Sequence, residues 1–241
     1  MKRIAILQSN YIPWKGYFDL ISQVDIFVIY DSVQYTKNDW RNRNKLLGPN
    51  GPIWLTIPIR TSGRASQRIS EAVVTDGRWS RKHWLTIEQC LKKAAFFDLY
   101  KDEWATWYEF SSKLDHLHEI NRFFLAGIIQ QLGIKTVIKA EKDIRQSADN
   151  TLTATERLIA LCLEVGATTY LTGPAGLDYL DVPAFREVGV EVKVIDYSKY
   201  ESYPQLGKDF SHFVSVLDLL ANVGPSARHH LLGLSRTINE L

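Results

Sequence analysis

Residues 4–45 read IAILQSNYIPWKGYFDLISQVDIFVIYDSVQYTKNDWRNRNK, and this stretch decides the fold. Residues 4–7 have the length and apolar composition of a buried strand. The run stops at Gln8-Ser9-Asn10-Tyr11, and Pro13 follows, a residue whose fixed φ suits the first turn of a helix. Trp14, Tyr17, Phe18 and Ile21 recur at helical spacing and predict a short amphipathic helix through Ser22. Residues 26–30 form a second apolar run, ending in Asp31-Ser32-Val33-Gln34-Tyr35. Strand, polar loop, helix, strand is a βαβ unit, with parallel strands and a right-handed crossover. Both polar clusters then fall at the carboxyl ends of strands, the edge where open α/β sheets bind ligands.

Downstream, the turn signals at residues 46–52 predict a hairpin pairing residues 44–47 with a strand at 53–59. Residues 60–68 (RTSGRASQR) read as a basic surface loop and 69–74 as an edge strand. Three helices are predicted at 79–93, 96–112 and 114–132, with Gly133 as a C-terminal stop. Strands at 135–139, 168–172 and 191–195 then alternate with a helix at 153–165 and a short one through Phe185 and Val188. Thr153 and Glu156 have the spacing of a capping box. Residues 197–208 read as an aromatic loop and 213–220 as a closing helix. The expected fold is α/β: one Rossmann-like domain over 1–241 with a mostly parallel sheet and flanking helices. Residues 79–132 are expected to be a helical insertion or lid.

A hydrophobic content of 45% and a charged content of 23% are those of a soluble globular protein, and a net charge of +2 is too small to mark a nucleic-acid binder. Cys90 and Cys162 both sit in apolar helical contexts, so neither a disulfide framework nor a zinc site is expected. No apolar segment is long enough to span a bilayer, and Met1-Lys2-Arg3 runs into a strand, so the expected location is the cytoplasm.

Residues 37–45 hold the cations Lys37, Arg41, Arg43 and Lys45 and the amides Asn38, Asn42 and Asn44 around Trp40. In an extended segment Arg41, Arg43 and Lys45 would share a face suited to phosphate, although a solvated basic loop has the same composition. Asp31 and Asp178 stand at strand or turn ends, where a carboxylate accepts a proton or orients a hydroxyl; for Asp178 a turn cap is the better reading. Gly173-Pro174-Ala175-Gly176-Leu177-Asp178-Tyr179 follows a strand and opens a helix, a turn that offers N–H groups to an anion or simply packs helix on strand. It matches neither a Walker A loop nor GxGxxG. His83 lies on a helix face beside Trp79 and Lys82, and His116, His118 and His229-His230 read as bland. The absence of GxSxG or a reactive-cysteine signature argues against covalent catalysis.

The motifs QSNYIPWKGYFDLI, DIFVIYDSVQYTKNDWRNRNK, WLTIPI, SRKHWLTIEQ, TERLIALCLEVGATTYLTGPAGLDYLD, and YPQ followed by FSHFVSVLDLLANVG resemble the WbqC-like family over nearly the whole chain. Ser9 stands where that family usually carries proline, and Ser32 where it often has a second aspartate. The resemblance implies attachment of glycine, or a similar small acyl group, to the amino group of a nucleotide-linked sugar in O-antigen or surface-polysaccharide synthesis. The implied acceptor is a sugar of the dTDP-4-amino-4,6-dideoxyglucose type, and the implied donor is preformed, such as an aminoacyl-tRNA. No cofactor, metal or membrane is called for, and a homodimer is left open.

On that reading Asp31 takes the amine proton, with Gln8, Asn10, Gln34 and His83 as the other catalytic candidates. Tyr11 or Trp40 stacks on the base, and Arg41, Arg43 and Lys45 neutralise the diphosphate. Trp14, Tyr17, Asn38, Asn42, Gly173, Pro174, Gly176, Asp178, Tyr179, Tyr203 and Gln205 complete the expected binding set. Two alternatives remain open at this point: a nucleotide-dependent ligase or nucleotidyltransferase, disfavoured by the missing phosphate-loop and HIGH-type motifs, and a non-catalytic nucleotide-sugar or RNA binding module.

Overall fold

The computed structural model describes residues 1–144, 151–207 and 209–232, and the backbone of 239–240. Strands β1 (Arg3–Leu7) and β2 (Ile26–Ile29) flank helix α1 (Lys15–Ser22), as the opening stretch predicts. They pair in parallel, Ile4 against Ile26 through Leu7 against Ile29. A separate antiparallel hairpin follows, β3 (Arg43–Gly48) and β4 (Gly51–Thr56). Helices α2 (Arg78–Leu91), α3 (Phe97–Ser111) and α4 (Leu117–Gln131) come next, then β5 (Val137–Ala140), α5 (Ala154–Glu164), β6 (Thr169–Thr172), α6 (Val182–Glu187), β7 (Glu191–Val194) and α7 (Val216–Val223). A short β8 (Asn239–Glu240) pairs antiparallel with β7.

The sheet order is β5-β2-β1-β6-β7-β8, and the first five strands are mutually parallel. Chain order runs one way from β1 through β2 to β5, then the other way through β6 and β7. The carboxyl ends of β1 and β6 are therefore the topological switch point of a Rossmann-like sheet.

Strand alternation sorts two cores. Ala5, Phe27, Ile29 and Leu171 point to the face covered by α1, α2, α3, α4 and α7. Ile4, Ile6, Ile26, Val28, Tyr170 and Val192 point to the other face, against Leu158, Leu161 and Cys162 of α5 and Phe185 of α6. Tyr170 and Phe185 stack there at 5.1 Å. The helices of the 79–132 block contribute Trp79, Ile87, Trp104, Tyr108, Ile120 and Phe124 to the first core, which they share with α1 and the sheet.

Local signals behave as their chemistry requires. Thr153 Oγ1 accepts from Glu156 N–H while the Glu156 carboxylate accepts from Thr153 N–H, closing the capping box. Gly133 ends α4 at φ +66°, the left-handed conformation glycine adopts without a Cβ clash.

Two elements differ from expectation. Residues 69–74 form a short 3-10 turn, Ile69–Glu71, with isolated bridges to Ile59 and His116 in place of an edge strand. The Glu71 carboxylate accepts from Arg68 N–H at 2.8 Å and closes the turn before a strand can extend. The last helix starts at Val216, later than residue 213, because Ser215 Oγ accepts from Leu217 N–H and caps it there. Lys208, the end of the predicted 197–208 loop, lies outside the described residues.

Candidate active site

The carboxyl ends of β1 and β2 are joined through Asp31. Its Oδ1 accepts from Ser9 N–H at 2.9 Å and its Oδ2 from the Arg122 guanidinium at 3.2 Å. Asn121, the neighbouring residue on α4, donates to Ser9 O, Ser9 Oγ and Arg41 O. Tyr17, on α1, is buried and donates to Gln8 O at 2.8 Å. Ser9, the neighbour of Gln8, and Asp31 therefore meet at the sheet edge. Both Asp31 oxygens already accept hydrogen bonds, which suits a fixed charge better than a free base.

Arg122 and Asn121 gave no sign in the sequence beyond helical spacing, and His118 read as bland. All three stand within the first turns of α4. Among the described residues His118 Nδ1 has no hydrogen-bond partner. Burial and the Arg122 charge push its pKa down, while Asp31 pulls the other way. The imidazole is thus kept neutral close to a carboxylate.

Tyr11 and His83 are not at the surface. Tyr11 is fully buried, ringed by Trp79, His83 and Phe124, so it has no face for a nucleobase. Its hydroxyl hydrogen-bonds His83 Nδ1 at 2.9 Å and the Tyr108 hydroxyl at 2.6 Å. The Thr56 backbone carbonyl also accepts from the His83 imidazole, but burial dominates and holds its pKa at about 4. This chain of buried polar groups anchors the loop after β1 to α2 and α3.

The loop is anchored a second time by the hairpin. Asn44 donates to Tyr11 O and Ile12 O and accepts from Lys45 N–H. Tyr11 N–H donates to Trp40 O at 3.0 Å. These bonds hold Ile12 at φ +35°, a conformation costly for a β-branched residue. Asn42 is buried and donates to Ile57 O, a structural bond.

Alternation along β3 puts Asn44 on the buried side and Arg43 and Lys45 on the other, where both cations lie over Trp54, at 4.3 and 5.7 Å from the ring. Trp54, which pairs with Lys45 across the hairpin, extends the predicted cluster. Trp54 and Trp40 are 44% and 43% exposed, with ring centroids 5.6 Å apart. Trp40 also walls a pocket of about 240 Å³ with Asn10, Pro13, Trp14, Asn44 and Phe213. Trp14 packs on Phe213 and edge-on to Tyr197, over Gly16, where a Cβ would collide with the indole.

The remaining expected residues scatter. Arg41 leaves the Arg43–Lys45 face and pairs with Asp39 at 2.5 Å. Gln34 is exposed and donates to Ala65 O, pinning the 60–68 loop. Asn38 is exposed in a turn at φ +56°. Pro174–Gly176 is a 3-10 turn with Gly173 as its N-cap; a Cβ at Gly176 would collide with Thr172 Oγ1, so close packing explains that glycine. Asp178 and Tyr179 are exposed beyond that turn. Tyr203 and Gln205 are bonded to Asp218, at 2.9 and 2.7 Å, and brace α7; neither lines the pocket.

A family model described as the WbqC-like protein family matches residues 8–230, nearly the whole chain and every element that builds this site. The chain belongs to the WbqC-like protein family. It is 42% identical over 231 residues to a Mycobacterium tuberculosis (strain ATCC 25618 / H37Rv) protein called uncharacterized protein Rv1507c, covering 96% of this chain and 98% of that one. A WbqC-like chain thus presents an aromatic pocket, a cationic indole shelf beside it, and a polar cluster at the sheet's switch point. Among the described residues of this WbqC-like chain, no helix is long and apolar enough to cross a membrane and no group of three or more His, Cys, Asp or Glu is placed to hold a metal ion.

Proposed function

We propose that the protein is an N-acyltransferase that joins a glycyl or other aminoacyl group to the amino group of a nucleotide-linked aminodideoxy sugar, in surface-polysaccharide synthesis. The observation that carries this reading is the continuity of pocket and shelf through Trp40. Aromatic walls from Trp14, Trp40 and Phe213 with amides from Asn10 and Asn44 suit a deoxysugar, which has apolar faces and polar edges. Arg43 and Lys45 over Trp54 suit a diphosphate next to a stacked base. A sugar, a diphosphate and a base in that order make a nucleotide sugar of the dTDP type.

In the transfer, the neutral amine nitrogen attacks the acyl carbonyl carbon. The new C–N bond forms as the donor's C–O bond breaks, and the amine proton passes through a base to the leaving oxygen. His118 fits the base role better than Asp31, since it is held neutral while both Asp31 oxygens are engaged. Asp31 then stabilises the imidazolium that forms.

Incubating the full chain with dTDP-4-amino-4,6-dideoxyglucose and glycyl-tRNA, followed by mass spectrometry of the sugar, tests the reading. The expected result is a mass gain equal to the glycyl group, and none with the N-acetylated sugar. An aminosugar that neither binds nor gains an acyl group from any activated donor overturns it.

A further inference from the structure

A groove between α2 and α3 takes no part in the site described above. Contacts between the two helices set the level of one against the other. A Cβ at Gly77, the N-cap of α2, would collide with Ser112 O, and Ser80 Oγ donates to Tyr108 O. The helices therefore run antiparallel. By the same register Trp84 comes level with Ala105, whose small side chain leaves room above the indole. These residues line a cavity of about 640 Å³, in the size range of small-molecule sites. Trp84 is half-buried, stacked on Phe97 at 6.2 Å and 6.3 Å from the Tyr108 ring. The Tyr108 hydroxyl is engaged by Tyr11, so the floor there is apolar. Arg81 stands one turn before Trp84 on α2 and Glu109 one turn after Ala105 on α3, and both line the cavity. Both are exposed, and neither makes an ion pair among the described residues. Arg78, also on the cavity wall, is held by the two oxygens of Asp76 at 3.2 and 2.9 Å.

We propose that this groove binds a nucleoside monophosphate: the base on Trp84 beside Ala105, the ribose hydroxyls on Glu109, the phosphate on Arg81 and on the guanidinium edge of Arg78 that Asp76 leaves. An indole stacks on any base, whatever its hydrogen-bonding edge. A carboxylate accepts from ribose hydroxyls, and a guanidinium donates two parallel N–H bonds to a phosphate. The helix register puts these three groups in the order base, sugar, phosphate along one cavity. The carboxylates of Asp76 and Glu109 disfavour a longer polyanion, while an uncharged ring would leave Arg81 unused. This site lies outside the acyl-transfer machinery and does not depend on that reading.

Calorimetric titration of the full-length protein with AMP, GMP and UMP tests the site, in wild type and in Trp54→Ala, which removes the exposed indole of the shelf. At least one of the three should bind, and equally to both proteins. Arg81→Gln should weaken that nucleotide at least about tenfold, the loss of one charge-assisted contact. Ala105→Phe, which fills the space over Trp84, should weaken it as well. Glu109→Ala should erase the preference of wild type for the nucleotide over its 2′,3′-dideoxy form. Arg81 and Glu109 are exposed, so their variants read out the site even where Ala105→Phe disturbs the helix pair. The proposal is overturned if none of the three nucleotides binds, if Trp54→Ala abolishes the binding, or if Arg81→Gln and Ala105→Phe both leave it unchanged. A dideoxy form that binds wild type as tightly as the parent overturns the nucleoside assignment.

Discussion

The Ser9 backbone N–H donates to Asp31 Oδ1 at 2.9 Å, tying the residue that follows the end of β1 to the one just past β2. A proline at position 9 would have no N–H to offer. In this chain the Ser9 bond and the Arg122 guanidinium together occupy the carboxylate.

Asp31→Ala should therefore destabilise the protein by about 2–4 kcal/mol, because it strands the Arg122 charge and an inward N–H. Asp31→Asn keeps an acceptor for Ser9 and should cost about half as much. Urea unfolding measures both; equal losses would mean that the acceptor asparagine keeps for Ser9 contributes nothing.

The buried His83 makes stability depend on pH. Its pKa of about 4 in the folded state lies below the ordinary value of 6.5, so the unfolded chain takes the proton first as pH falls. The contribution is whole above pH 6.5 and is lost progressively down to about pH 4, by about 3 kcal/mol. Desolvation also lowers the pKa of His118, His212 and His230 and raises that of Asp218 and Glu141, so the readout is a difference. Chemical denaturation of wild type and His83→Gln across pH 4–7 should show a shallower slope in the variant.

The indole shelf can be tested without disturbing the fold, since Trp54 is exposed. Trp54→Ala should change stability by less than about 0.5 kcal/mol yet weaken nucleotide-sugar binding by about 1–3 kcal/mol, the range for loss of one base-stacking ring. Tryptophan fluorescence quenching and calorimetry report it. Unchanged affinity would place the base elsewhere.

Asn44 couples hairpin to pocket. Asn44→Ala removes donors to Tyr11 O and Ile12 O and an acceptor for Lys45 N–H, a loss of about 2–3 kcal/mol. With Ile12 released from φ +35°, sugar affinity should fall as well. A variant that loses stability but binds the sugar normally would show that the loop conformation does not shape the pocket.

If His118 accepts the amine proton, the rate of acyl transfer should be flat above pH 6.5 and fall on the acid side below it, since burial lowers its pKa. His118→Gln should lower kcat by about 10²–10⁴ and leave KM near its starting value. An acid limb that survives in His118→Gln belongs to another group.

The period of the apolar residues determined the βαβ opening and most helices, and the turn signals at residues 46–52 the hairpin, because periodicity and turn chemistry are local properties of the chain. The alternation of Arg43 and Lys45 with Asn44 was equally legible: once a segment is extended, neighbours must point to opposite sides. The Thr153–Glu156 cap and the Gly133 stop needed no more than their immediate surroundings.

The site's membership was another matter. Tyr11 and His83 stand in polar, ligand-like sequence, yet the packing of α2, α3 and α4 against the sheet buries both in one hydrogen-bonded chain. Arg122 and His118 read as ordinary helix residues, more than eighty positions from Asp31, and only the docking of α4 brings them to it. Trp54 joins Trp40 because the hairpin folds back across it. Spacing determines which way a side chain points from its own element. What that side chain meets, and whether water reaches it, is decided by contacts distant in the chain, and those only the tertiary structure supplies.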